Sequence, residues 1–254
     1  MAGKEKKAKA KGRGYPREGL GPIRRWIPSW RFFLGTFFAL TALGIGALAG
    51  LYVTTNIPEV DDFALAQTTK VYYSDGATEL GSFSELNRSS VSLADVSEHL
   101  QHAVIASEDS SFYENSGVDL RGIARALWNN IQGKPTQGGS TLTQQYVERY
   151  YTGTTTSLFG KLKEAILALK IDSQQSKETI LENYLNTIYF GRGAYGIEAA
   201  AQAYFGVPAK DLTLSQSATL AGIIPAPSAW DPAVSPERAE QRFERVIARM
   251  VSER

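Results

Sequence analysis

The chain has no cysteine, two histidines (His99 and His102) and two methionines in 254 residues. Without cysteine there is neither a disulfide framework nor a thiolate metal site, and two histidines are too few for a His-rich one. A Walker loop, a dinucleotide-binding glycine fingerprint and an HExxH zinc motif are also missing. So is the Ser-x-x-Lys set with its Ser-x-Asn and Lys-Thr-Gly companions, so these residues carry no acyl transfer of the penicilloyl-serine type. Positive charge is scarce outside one end. Residues 1–31 hold ten Lys/Arg against Glu5 and Glu18, leaving 17 basic and 24 acidic residues for the remainder. A basic tail on an acidic body argues against nucleic acid as the partner of that body.

Residues 1–31, rich in Lys, Arg, Gly and Pro, read as a disordered cytoplasmic tail, attracted to anionic lipid or serving only as a topology signal. Phe32 to Val53 carries no charge, and its 22 residues rise roughly 33 Å as a helix, enough for a hydrocarbon core of about 30 Å. Trp26, Trp30 and Tyr52 flank it as an aromatic belt would. Ala47-Leu48-Ala49 also fits a signal-peptidase site, but the leader would be unusually long and basic; a retained single-pass anchor with the body outside is expected. Residues 54–69 read as a linker, and Lys70–Tyr73, Asp75-Gly76 and Glu79–Phe83 as a small β-hairpin. The rest is mostly α. Ser92 or Asp95 is expected to cap a helix with Val96, Leu100 and Val104 at its apolar positions. Further helices are expected over Val118–Ile131 (bearing Arg121 and Arg125), around Tyr146-Val147, and over Leu158–Ile171, Lys177–Ile188 and Ile197–Tyr204. Thr213 with Gln216 forms a capping box for the next, and residues 236–254 form a charged amphipathic helix.

Three places carry candidate chemistry. Glu108 ends an apolar segment, where partial desolvation raises a carboxyl pKa toward that of a useful general base; a surface acid at a helix end is the plain alternative. Gly138-Gly139 precede Ser140 and Thr141, either of which can cap a helix whose free N–H groups suit a phosphate, with Gln144 and Gln145 adding amide donors. Lys161 and Glu164 share a helix face that Lys163 does not, and Leu158, Leu162, Ile166 and Leu169 read as the buried stripe of that helix. Tyr146, Tyr150, Tyr151, Leu158 and Phe159 form an aromatic-apolar cluster that fits either a core or a membrane surface.

Together these pieces resemble the peptidoglycan glycosyltransferases, family 51, over about residues 70–254. Glu108-Asp109-x-x-Phe112-x-x-Asn115-x-Gly117 resembles the first motif of that family and Gly138–Gln145 the second. Lys161-x-x-Glu164 resembles the third, Lys177 through Tyr184-Leu185-Asn186 and on to Gly191 the fourth, and Leu220 through Pro232 the fifth. The resemblance implies a lysozyme-like helical domain with a membrane-facing lobe at about 136–162. It implies an enzyme that joins lipid II to a growing glycan chain, with Glu108 as base and Glu164 as second catalytic carboxylate. It places Asp109, Phe112, Ser140, Thr141, Gln144, Gln145, Arg149, Lys161, Lys163, Tyr184 and Asn186 around substrate. A divalent cation such as Mg²⁺ on Glu164 fits hard-ion chemistry.

Three positions depart from the pattern of the family: Asn115 for a His, Glu148 for a Lys, and Gly160 for an Arg. They thin the expected cationic lining, leaving Arg149, Lys161, Lys163 or a metal ion to neutralise the leaving diphosphate. Membrane lipid and other wall-synthesis or division proteins are the partners the resemblance implies. It leaves open whether a transpeptidase domain follows Arg254. A non-catalytic wall scaffold, or a lysozyme-like hydrolase using two carboxylates, are the alternatives.

Overall fold

The computed structural model describes residues 21–23, 27–57, 68–74, 79–84, 90–133, 139–153 and 157–253. Most of the basic tail, residues 58–67 of the linker, the Asp75-Gly76 turn, Gly138 and Arg254 lie outside the described residues. The chain divides into two compact units, Met1–Thr54 and Thr55–Arg254. In the first, α1 (Trp30–Thr54) begins where Ser29 accepts the Phe32 N–H, and none of its side chains is buried. It is long and apolar enough to cross a membrane.

In the second unit, β1 (Thr68–Tyr72) and β2 (Glu79–Ser84) pair antiparallel, from Thr68 opposite Ser84 to Tyr72 opposite Glu79, with a bulge at Val71/Tyr72. The expected hairpin is therefore present. Helices follow: α2 (Glu98–Glu108), α3 (Leu120–Ile131), α4 (Leu142–Val147), which runs into a π-helical turn over Glu148–Thr152, and α5 (Leu158–Gln174). Then come α6 (Lys177–Thr187), a ribbon of β3 (Tyr189–Gly191) and β4 (Ala194–Tyr195), α7 (Ile197–Phe205), α8 (Leu214–Ile223) and α9 (Pro236–Ser252).

Local chemistry sets most helix starts. Ser157 and Ser176 accept the N–H of Gly160 and Thr179, and Thr141 and Thr213 form full capping boxes with Gln144 and Gln216. The start of α2 differs from expectation. Ser92 caps a 3₁₀ turn over Leu93–Asp95, and Val96 stands extended between that turn and the helix. Ser97 at the N-cap position of α2 makes no cap; its hydroxyl donates to the buried Leu212 carbonyl at 2.8 Å instead.

The core gathers Leu100, Val104, Phe112, Tyr146, Ile171, Leu181, Tyr184 and Phe190, all 2% exposed or less. Each such side chain contributes roughly 1.5–3 kcal/mol by burial. Helix α2 packs on α8 and α9, and α4 on α5 and α6. The expected stripe of α5 is corrected: its buried residues are Glu164, Ile166, Leu167, Ala168 and Ile171, while Leu158, Leu162 and Leu169 are exposed. Apolar residues occupy both sides of this helix, and periodicity alone does not say which side turns inward.

Candidate active site

Glu108 is the last residue of α2, and at a helix C-terminus the unsatisfied carbonyls disfavour a carboxylate. Two of those carbonyls, Ala106 and Ser107, accept from Arg249 of α9 at 3.3 and 2.7 Å. Glu108 lines a cavity of about 800 Å³. Six arginines share its wall: Arg121 and Arg125 of α3, Arg149 of the π-helical turn, and Arg242, Arg245 and Arg249 of α9. Five carboxylates line it as well (Glu108, Asp109, Asp119, Glu148 and Glu253). Burial pushes the Glu108 pKa above its ordinary 4.5, against the opposing pull of the Gln145 amide and of Arg242, Arg249 and Arg245. An acid poised upward in this way is better matched to proton transfer near neutral pH.

The loop after Glu108 is tied to the second motif. Asp109, 7% exposed, accepts from the Ser111 hydroxyl, from the Asn115 amide and from the Leu142 N–H, the last at 3.0 Å. Asn115 in turn accepts from the Gly117 N–H at 2.9 Å and from Lys177 at 3.4 Å. Lys177 pairs with Asp172 and lies 4.8 Å over the ring of Phe112. Gly117 has φ +83°, and a Cβ there would stand 2.5 Å from the Ala168 carbonyl oxygen. Its own carbonyl accepts from the Thr141 hydroxyl at 2.6 Å.

This wiring sorts the expected substrate-contact residues. Asp109, Ser140, Thr141, Gln145 and Arg149 line the cavity with Glu108. Two N–H groups at the start of α4 are used within the protein: Leu142 by Asp109, and Gln144 by Thr141 at 3.1 Å. The Gln144 side chain closes the capping box, accepting the Thr141 N–H. Phe112 is fully buried. Asn186 clamps the chain at Val91, accepting its N–H at 3.0 Å and donating to its carbonyl at 2.8 Å, away from the cavity. Tyr184 is fully buried and reaches the site through Gln145: its hydroxyl donates to Gln145 Oε1 and Gln145 Nε2 donates to Glu108 Oε2, both at 3.0 Å.

Lys161, Lys163 and Glu164 stand outside the lining. Lys161 Nζ bridges Glu164 at 2.8 Å and the cavity residue Glu148 at 3.0 Å. Partial burial works to lower the Lys161 pKa, but the hydrogen bonds from Glu164 and Glu148 outweigh it and hold the ammonium above its ordinary value. Glu164 is 2% exposed, with Oε2 on Lys161 and Oε1 without a hydrogen-bond partner. That free oxygen is one ligand for the divalent ion considered at Glu164. Among the described residues, however, no group of three or more His, Cys, Asp or Glu is placed to hold a metal, and the Lys161 ammonium already bridges Glu164 and Glu148. A metal ion held by protein groups alone finds no donor set among the described residues, which leaves an ion shared between Glu164 and phosphate oxygens as the form the resemblance implies.

Arg242, Arg245 and Arg249 are the functional candidates that a reading of α9 as a charged amphipathic helix misses. Arg242 donates to the Gly222 carbonyl at the end of α8, at 3.0 Å, and lies 4.4 Å over the Trp230 ring. The signal was in the spacing: Arg242 and Arg249 follow Ala239 and Val246, the buried stripe of α9, by one turn.

Comparison with known proteins bears on what such a cavity does. The Transglycosylase family model matches residues 76–251. Penicillin-binding protein 1A of Mycobacterium tuberculosis is 44% identical over 206 residues, 79% of this chain and 25% of that protein. Penicillin-binding protein 1A of Neisseria lactamica is 40% identical over 226 residues, 87% of this chain and 28% of that protein. A crystal structure of penicillin-binding protein 1A from Haemophilus influenzae aligns with a TM-score of 0.40 and 29% identity, over 74% of this chain and 18% of that one. The chain thus spans about a quarter of the length of the curated relatives it matches.

Proposed function

The chain belongs to the transglycosylase family, and on that premise we propose that it polymerises lipid II into the β-1,4-linked glycan of peptidoglycan. Glu108 is the general base. Its carboxylate takes the proton of the acceptor sugar's 4-hydroxyl as that oxygen attacks the anomeric carbon of the growing chain. The bond to the diphosphate breaks on the opposite face, so the configuration inverts and undecaprenyl diphosphate departs with the electron pair. Diphosphate needs charge neutralisation more than a proton. Arg121, Arg125, Arg149, Arg242, Arg245 and Arg249 replace the cations missing at Glu148 and Gly160. Glu164 is a positioning residue that holds Lys161 at the edge of this field. The anchor is α1, with the N-terminus cytoplasmic and the body on the outer face.

One observation supports the reading above the others: a half-buried carboxylate, held by the Gln145 amide, opens into an arginine-walled cavity. The test is polymerisation of lipid II in detergent by the 254-residue chain, with and without EDTA, beside Glu108→Gln. Wild-type protein is expected to make polymer in both conditions. The variant is expected to lose at least about 10²-fold in rate, the usual share of a general base. Full activity in the variant rejects Glu108 as base. Polymer lost only with EDTA moves charge neutralisation from the arginines to a divalent ion brought with the phosphates.

A further inference from the structure

Tyr184 does not line the cavity, yet its hydroxyl is spent on the side chain that hydrogen-bonds Glu108. A glutamine amide presents either an acceptor or a donor at nearly the same shape, and the partner of its other end decides which. Here the phenol donates to Gln145 Oε1, which leaves Nε2 to donate to Glu108. We infer that Tyr184 is a positioning residue for the general base: it fixes which end of the Gln145 amide meets Glu108 and so favours the ionised, proton-accepting carboxylate. The inference rests on the reading of Glu108 as base.

Tyr184 suits the task. It is fully enclosed on α6, and burial first, then the nearby Glu108, hold its pKa well above the ordinary tyrosine value. The phenol therefore stays a donor wherever the enzyme works. The other charged groups facing Glu108 are Arg242, Arg245 and Arg249 of α9, Glu148 and Arg149 of the π-helical turn, and Asp109 beside it. Arg121, Arg125 and Asp119 complete the lining from the side of α3, and α8 brings no charged residue. Among the described residues none of them makes a hydrogen bond to the Gln145 amide, so apart from Glu108 itself its orientation is set by Tyr184.

The sign of the effect follows. Without the phenol, the Gln145 oxygen loses its donor, and the turned-over amide competes wherever Glu108 is protonated and can donate to it. An oxygen then faces Glu108 and favours the protonated acid, which cannot accept a proton. The experiment is kcat/KM for lipid II polymerisation as a function of pH in wild type, Tyr184→Phe, Gln145→Met and the double variant, with melting temperatures measured alongside. Tyr184→Phe is expected to lose roughly tenfold on the acid side of the profile and to recover at higher pH. Gln145→Met is expected to shift the same limb, and the double variant to shift it no further. Ring-fluorinated tyrosine at 184, with nearly the same shape and a stronger donor, moves the limb the other way and carries the test should Tyr184→Phe fail to fold. An unchanged profile, or a loss equal at every pH, overturns the inference while wild-type polymerisation still upholds the function. A wild-type protein that makes no polymer defeats the function reading, and this inference falls with it.

Discussion

Glu108 sits at the junction of two demands that oppose each other. Its burial at the end of α2 favours the neutral acid, while the Gln145 amide and the α9 arginines favour the carboxylate; burial prevails and the pKa rises above 4.5. A folded-state pKa above the unfolded one means that the fold binds the proton more tightly than the unfolded chain does. Stability is then greatest where Glu108 is protonated and falls as pH rises from the ordinary carboxylate range through the folded value. Glu108→Gln removes that cost, and the glutamine oxygen still accepts from Gln145. The variant should therefore melt at a higher temperature than wild type at pH 7, and the gain should disappear near pH 4. A melting temperature equal to or below wild type at pH 7 would contradict the burial of this charge. Gain of stability with loss of polymerisation in one substitution is what an active site tuned for proton transfer implies.

At the scale of elements, the site is a set of helix ends fastened by one loop. Residues 109–118 join α2 to α4 through Asp109, to α6 through Asn115 and Lys177, and to α5 where Gly117 lies against Ala168. Gly117→Ala adds a side chain at φ +83° with only 2.5 Å to the Ala168 oxygen. Strain of that kind costs about 1–3 kcal/mol before the clash, which lowers the melting temperature by roughly 2–12 °C in a body of this size. Because the Gly117 carbonyl holds Thr141, polymerisation should fall with it. Thermal melting followed by circular dichroism decides the point, and an unchanged midpoint would show that the loop is not fastened there. Much at this scale was legible in sequence. The Thr141 and Thr213 capping boxes are local chemistry, and a box needs only four residues to be recognised. The separation of Glu108 and Gln145 from Glu164 was not. All three stand in neighbouring motifs, but which carboxylate meets the cavity depends on how α5 is rotated, and an apolar residue on each side of that helix hides the rotation. The α9 arginines were hidden for a related reason: a charged helix reads as solvated until another surface is known to close over it.

The consequence for the whole molecule lies in the side of α5 that turns outward. Leu158 is 90% exposed and Phe159 65%, with Leu162 beside them one turn on, while Tyr146 and Tyr150 of the same sequence cluster are buried. The cluster that sequence left open between core and surface is therefore divided, the tyrosines inside and α5's first turn outside. Large apolar side chains gathered at one helix start have no reason to face water unless something apolar covers them. A lipid surface is the apolar partner that the proposed lipid-linked substrate would bring with it. The test uses a body that starts at Thr55, the compact unit without α1, so that the long apolar helix does not mask weak binding. The Leu158→Glu, Phe159→Glu double variant should co-sediment with anionic phospholipid vesicles roughly tenfold less than its parent, a modest fraction of the burial energy of two such side chains. Salt should weaken the parent only slightly if insertion is apolar, and strongly if basic side chains carry it. Unchanged sedimentation of the variant would take these two residues off the membrane.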